Sequence, residues 1–138
     1  MIIYPNQGCV ELMGTIRTAL ALCEVKLGKA PVPLAPGTVL ADLTAVEADF
    51  GGYAPIAVTA LLPVFVDPIG GASAQIATIQ FQCNGSAPSN NIYVWWVENA
   101  GGDLILAGDF PAPVPMAVAT DAIPMDIKFN FGAGQEAA

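Results

Sequence analysis

The chain has 138 residues, 54% of them hydrophobic and 12% charged, so it is long enough to bury the core of one domain and too apolar to remain disordered. With 4 basic and 12 acidic residues its net charge is −8, which excludes the basic surface that nucleic acids and anionic membranes require. Because charged residues are so few, much of the protein surface has to be apolar, and we expect that apolar surface to be buried in an assembly. Secretion, or a surface rich in small residues, is the alternative.

The cysteines and the N-terminus indicate a cytoplasmic origin. Cys9, Cys23 and Cys83 are widely spaced in apolar runs, which is typical of buried thiols rather than of a disulfide framework. The sequence has no histidine and no CxxC pair, so we predict no zinc site and no cofactor. The opening MIIYPNQG lacks the features of a signal peptide, and the apolar runs are too short to span a bilayer.

The first elements in chain order are a short apolar arm, a helix and a strand. The arm covers Met1 to Asn6, and Asn6 is a good helix N-cap. A helix over residues 7–17 is predicted by apolar residues at three- and four-residue spacing, namely Cys9, Val10, Met13 and Ile16. Alternation over Thr18 to Leu27 then predicts the first strand.

A proline-rich stretch follows, from Lys29 to Val39. Proline cannot donate to a β-ladder, so this stretch is predicted to cross the surface in an extended form. It serves either as a simple crossover between sheets or as an arm against a neighbouring subunit. The interface residues predicted in it are Pro31, Pro33, Leu34 and Pro36.

Residues 40–56 read LADLTAVEADFGGYAPI. Thr44 and Glu47 match the T-x-x-E capping box, which predicts one helical turn that begins at Thr44 and is ended by Gly51 and Gly52. The carboxylates in this segment do not have the spacing of an EF-hand loop, so no cation site is predicted.

This segment resembles one found in small structural proteins of tailed bacteriophages, which are head-decoration, minor capsid or tail components. In those proteins, too, a short helix and a first strand precede it, and the resemblance covers roughly residues 1–60. It implies a virion protein made in the host cytoplasm, with the major capsid protein or other virion proteins as its partners.

Residues 75–107 contain three strand-like runs separated by turns, which predicts a β-meander. The polar connection Asn84 to Asn91 is predicted to be its exposed tip. The second run contains Tyr93, Trp95 and Trp96, and the two tryptophans must point to opposite faces of the strand. Surface aromatic residues are enriched in binding sites, so these three residues form a candidate binding surface.

A second proline-rich crossing is predicted over Asp109 to Pro115, with Phe110, Pro111 and Pro113 as further interface residues. Met116 to Thr120 is read as a short strand. Strict alternation predicts a final strand over Pro124 to Phe131, before a tail, residues 132–138, that is expected to fray.

Seven or eight short strands predict a single all-β domain over residues 1–138, a β-sandwich or a jelly roll of antiparallel sheets, with one short N-terminal helix and one helical turn. No nucleophile has a base beside it in sequence, and histidine is absent, so we expect no enzyme activity.

The expected function is therefore that of a structural component of a bacteriophage virion, a capsid decoration or minor capsid subunit that acts through protein contacts. We expect a homo-oligomer, with a closed trimer favoured. The alternative is a carbohydrate- or receptor-binding module that uses Tyr93, Trp95 or Trp96 as a stacking platform.

Overall fold

A computed structural model describes residues 6–58, 65–66 and 72–131. The elements in order are α1 (Asn6–Ala19), β1 (Glu24–Gly28), α2 (Leu40–Thr44), β2 (Ile56–Ala57), β3 (Phe65–Val66), β4 (Ala72–Gln82), β5 (Asn90–Glu98), β6 (Leu104–Met116) and β7 (Ala122–Phe131). The strands form antiparallel sheets and both helices are short, which confirms the all-β prediction. Neither described helix is long and apolar enough to cross a membrane.

The chain divides into two compact units. Unit 1 contains the described parts of Met1–Ala21, Val58–Ile79 and Met125–Ala138, and unit 2 contains Leu22–Ala57 and Gln80–Pro124. The N-terminal arm before Asn6 and the tail over residues 132–138 lie outside the described residues. The run AVTALLPVFV also predicts a strand over Ala57 to Val66, and the middle of that run lies outside the described residues.

Unit 2 is built on a four-stranded sheet in the order β2-β1-β5-β6. Its centre is the antiparallel pairing of β1 with β5, which places Lys26 opposite Trp96 and Val25 opposite Val97. Because successive side chains of a strand point to opposite faces, both faces of β5 contribute to the core. The fully buried apolar residues of this unit include Val25, Leu27, Leu43, Ile92, Val94, Trp96 and Val97.

One face of the sheet is covered by α2 and the segment before it. Leu43 is fully buried against Val94 and Trp96. Around this cluster pack the partly buried residues Val32, Leu34, Leu40, Val46, Tyr93, Leu104 and Ala107. As predicted, the proline-rich stretch does not form a strand. Its residues Val32 and Leu34 also form part of the core.

In unit 1, α1 lies against β3, and the hydroxyl of Thr78 in β4 donates to the carboxylate of Asp126 in β7. The sheet to which these strands belong has the order β3-β4-β7. Met125 and Ile127 are buried while Asp126 between them is exposed. This alternation confirms the predicted final strand.

The first predicted strand begins too early. Thr18 and Ala19 belong to α1, and β1 begins only at Glu24. Met13 and Leu20 lie two helical turns apart and both are buried, so the burial of one helix face decides the structure of this stretch. The chain leaves the helix through Leu22, which has a φ of 69° and is 83% exposed.

The predicted capping box is also wrong. Thr44 ends α2 rather than beginning a turn, and Glu47 forms an isolated β-bridge with Gly28. The helix instead begins at Leu40, where the carboxylate of Asp42 accepts the backbone N–H of Val39 at 3.4 Å. Burial of Leu43 against the sheet fixes the helix four residues earlier than the T-x-x-E pattern implies.

The predicted meander is correct only for its second half. β5 and β6 form a hairpin, but β4 belongs to the other sheet, so the connection after β4 carries the chain between sheets. The expected crossing over Asp109 to Pro115 is part of β6, which runs on to Met116, and residues 117–120 form a turn. Prolines are tolerated there because β6 is an edge strand.

Gly108 in β6 gives a test of this packing. A Cβ atom at Gly108 would lie 2.5 Å from two ring carbons of Trp95, so we expect Gly108→Ala to lower the free energy of unfolding by about 1–3 kcal/mol. No atom lies within 4 Å of a Cβ at Gly37, so the control Gly37→Ala should change the free energy of unfolding by less than about 0.5 kcal/mol. Urea unfolding of both variants measures the difference; equal midpoints would contradict the packing described for Trp95.

Candidate functional site

Unit 2 has an apolar groove of about 430 Å³ beside β6. One wall comes from the proline-rich stretch and the other from the beginning of the strand. The lining residues are Leu34, Ala35, Pro36, Thr38, Leu104, Ile105, Leu106 and Ala107. We call this feature the β6 groove.

The β6 groove runs along the edge of the strand and not over one face of the sheet. Side chains of a strand alternate between faces, so a groove lined by four successive residues, Leu104 to Ala107, has to follow the edge. Within the described residues β6 pairs with β5 alone and stands last in its sheet. Its outer edge therefore presents backbone N–H and C=O groups without a neighbouring strand.

The opposite wall is held in a defined shape by a tight turn. The backbone N–H of Ala35 donates to the hydroxyl of Thr38 at 2.9 Å, and the backbone N–H of Thr38 donates back to the carbonyl of Ala35 at 2.9 Å. Leu34 is anchored in the core beside Trp96. The β6 groove is thus formed in advance by packing and hydrogen bonds, which reduces the entropy lost on binding.

The structure places the two predicted interface stretches at different parts of β6. Leu34 and Pro36 line the β6 groove, and Pro31 and Pro33 are exposed in the same stretch. Phe110, Pro111 and Pro113 lie farther along β6, where the pairing with β5 is interrupted between Val94↔Asp109 and Ile92↔Val114. Sequence reasoning missed Leu104 to Ala107, because their apolar run predicted a strand without showing that the strand lies at an edge.

The three aromatic residues do not form one surface. Trp96 is fully buried, and its indole N–H donates to Glu98 Oε2 at 3.0 Å. Trp95 is half-buried with its ring close to Gly108, and Tyr93 is half-buried against the cluster of Leu43, Val94 and Trp96. Only these two are placed where a ligand could stack on them.

A half-buried polar cluster lies across β1 and β5. Lys26 Nζ is 2.7 Å from Glu98 Oε1 and 3.8 Å from Glu47 Oε1. The hydroxyl of Tyr53 donates to Glu47 Oε1 at 3.2 Å and accepts the backbone N–H of Leu27 at 3.2 Å. We call these side chains, together with the indole N–H of Trp96, the Lys26 cluster.

The groups of the Lys26 cluster hold fixed protonation states and are not arranged for proton transfer. Burial alone raises the pKa of Glu98, but hydrogen bonds from Lys26 and Trp96 outweigh it and hold that pKa below its usual value. Burial alone lowers the pKa of Lys26, but the hydrogen bond to Glu98 and the charge of Glu47 raise it. Burial also raises the pKa of Tyr53. All three groups keep one protonation state near neutral pH, which suits a structural role better than general acid–base catalysis.

The two described cysteine thiols are the other candidates for chemistry, and both belong to the packed core. Cys23 and Cys83 are buried thiols, and burial raises the pKa of Cys23. Within the described residues, no three His, Cys, Asp or Glu side chains are grouped closely enough to hold a metal ion.

The segment over residues 40–56 positions the loop after β4. The backbone N–H of Gly51 donates to the carbonyl of Pro88, and its carbonyl accepts the backbone N–H of Asn84. Asp49 and Asn90 exchange two hydrogen bonds, of 2.8 and 2.9 Å. Side chains 84–89 are exposed, as predicted for this tip, but the loop is fixed at both ends.

Comparison with known proteins gives no relative: no family model, no curated protein and no solved structure matches the chain.

The Lys26 cluster predicts a specific dependence of stability on pH. The pKa of Glu98 is lowered in the folded state, so its contribution is complete above the ordinary glutamate pKa of about 4.3 and is lost as the pH falls through the lower folded pKa. We expect Glu98→Gln to reduce the free energy of unfolding by about 2 kcal/mol at neutral pH, and by progressively less in acid. Urea unfolding at several pH values measures this difference.

The control for this experiment is the pair of Lys29 with Asp49, which is more exposed than Lys26 with Glu98. Lys29→Met should lower the free energy of unfolding clearly less than Glu98→Gln does, because solvent screens exposed ion pairs. A Glu98→Gln difference that stays the same from neutral pH to acid would contradict the assignment.

Proposed function

We propose that the protein is a structural subunit of a tailed-bacteriophage virion, a capsid decoration or minor capsid protein that acts through protein–protein contacts. The observation that carries this proposal is the β6 groove, an apolar channel beside a sheet edge with which no strand among the described residues pairs. Proteins that act alone normally block such edges, because open edges lead to aggregation. An edge left open beside a preformed apolar wall is what a subunit needs if its function is assembly.

The virion part of the proposal is supported by the segment over residues 40–56 and by the charge of the chain. That segment resembles one in tailed-phage structural proteins, and here it covers the core at Leu43 and fixes the loop at Asn84. A net charge of −8 suits the outer surface of a capsid, away from packaged DNA.

The proposed partners are the major capsid protein or other virion proteins, together with further copies of this chain. Exposed prolines at Pro31, Pro33, Pro111 and Pro113 are the proposed contacts between copies. Contacts that join different patches form a ring where the rotation between copies closes, and the ring that we propose is a trimer.

The alternative function is carbohydrate or receptor binding through Tyr93 and Trp95, which are both partly exposed. It requires a tryptophan that acrylamide quenches in the assembled protein. Trp96 is buried, so any such quenching has to come from Trp95.

The contact surface has to be tested by point substitution. Deleting residues 30–39 would remove Val32 and Leu34, which pack against the core cluster of Leu43, Val94 and Trp96, and the sheet would lose stability with them. Loss of assembly in such a deletion would not separate contact from folding.

Particle composition tests the proposed function. Phage particles are released from the cells that carry the coding sequence and purified on a density gradient, and the protein is located with an antibody raised against the purified chain. We expect it to band with the major capsid protein and to be absent from a matched gradient of uninduced cells. A signal confined to the soluble fractions of the lysate would contradict the virion proposal.

A further inference from the structure

We propose that the β6 groove binds an extended segment of a different protein, which pairs with β6 as an additional edge strand. The segment carries apolar residues at alternate positions and Lys or Arg at both ends. The inference rests on the proposed function, because the protein that supplies the segment would be another virion component.

The backbone of β6 is open over only half of its length. Pro111, Pro113 and Pro115 remove amide donors from the second half, which is a known way to block an edge. The first half, from Leu104 to Phe110, contains no proline and has no described partner beyond β5, and its pairing with β5 has one irregularity, at Ile105 between Val97↔Leu106 and Glu98↔Leu104. A stretch of this length matches an ordinary strand, so the open part can accept one complete added strand.

The side chains beside this open edge are apolar and partly accessible. Ile105 is 39% exposed and lies in the groove, opposite the turn of Ala35 to Thr38. A strand added here would place every second side chain in the channel between this turn and β6. Alternating apolar residues in the added segment would therefore be buried, and the residues between them would face solvent.

The charges at the two ends of the open stretch decide which partner fits. Asp103 precedes Leu104, and Asp109 follows Gly108; both carboxylates are exposed. A second copy paired antiparallel about Leu106 would place Asp103 opposite Asp109 of the second copy at both ends. Like charges directly opposite each other destabilise a strand pair, whereas Lys or Arg at the ends of a foreign segment would be attracted.

The test uses two fluorescein-labelled peptides, Lys-Thr-Val-Thr-Val-Thr-Lys and the same peptide with glutamate at both ends. By fluorescence anisotropy at low ionic strength, we expect the lysine peptide to bind at least about tenfold more tightly than the glutamate peptide. Its binding should weaken as salt is added. Amide hydrogen exchange should slow within residues 104–110 when the lysine peptide binds.

Two matched variants locate the site. Ile105→Lys adds one positive charge in the β6 groove, and Val118→Lys adds the same charge at an apolar residue, 54% exposed, in the turn after β6. We expect Ile105→Lys to weaken binding of the lysine peptide by about tenfold or more and Val118→Lys to change it less than about twofold. Urea unfolding of both variants confirms that each remains folded.

Three results would overturn the inference: no binding of the lysine peptide, equal binding of the two peptides, or exchange that slows outside residues 104–110. A dimer that protects residues 104–110 without peptide would assign the edge to a second copy and overturn it as well. The proposed function is judged separately by particle composition. If the protein is present in particles but does not bind the peptide, the virion assignment stands and the strand-addition inference is wrong. If the protein binds the peptide but is absent from particles, the β6 groove binds such a segment and the virion assignment is wrong.

Discussion

The structure of unit 2 depends on burying the ring of Trp96 while its indole N–H stays hydrogen bonded. The acceptor is Glu98, two residues farther along β5, and a half-buried carboxylate then requires a cation, which Lys26 supplies from β1. The ring also requires space: a Cβ at Gly28 would lie 2.5 Å from Val94 and 3.4 Å from Trp96. One buried aromatic side chain thus determines an ion pair, a glycine and the register between two strands.

The same arrangement distinguishes the two sides of the sheet. On the β1 side, the two-residue strand β2 pairs with Glu24 and Val25, and the hydroxyl of Tyr53 accepts the backbone N–H of Leu27. On the β6 side no strand follows among the described residues, and prolines block only the later part of the edge. The stable core therefore holds a partly open edge in a fixed position, which is the combination that recognition by strand addition requires.

Sequence reasoning succeeded where burial repeats along the chain and failed where the structure depends on distant residues. Alternation identified β7, because each inward side chain is selected by its own burial. It could not tell that β4 and β5 lie in different sheets, since strand pairing is a long-range property. The prolines of β6 indicated a crossing because no local signal shows that a strand lies at an edge. The β6 groove, which joins two distant stretches, was out of reach for the same reason.

The small number of Lys and Arg residues has a practical consequence for detecting the protein. Trypsin cleaves after Lys and Arg, and the chain offers only Arg17, Lys26, Lys29 and Lys128. Complete digestion would leave residues 30–128 as one fragment, too long for routine peptide sequencing, and native digestion is further hindered at Lys26 by its ion pair with Glu98. Proteases that cleave beside Asp and Glu would sample this region. A tryptic survey would therefore detect the protein only through short fragments outside this region, such as residues 18–26, and would give no information on most of the chain.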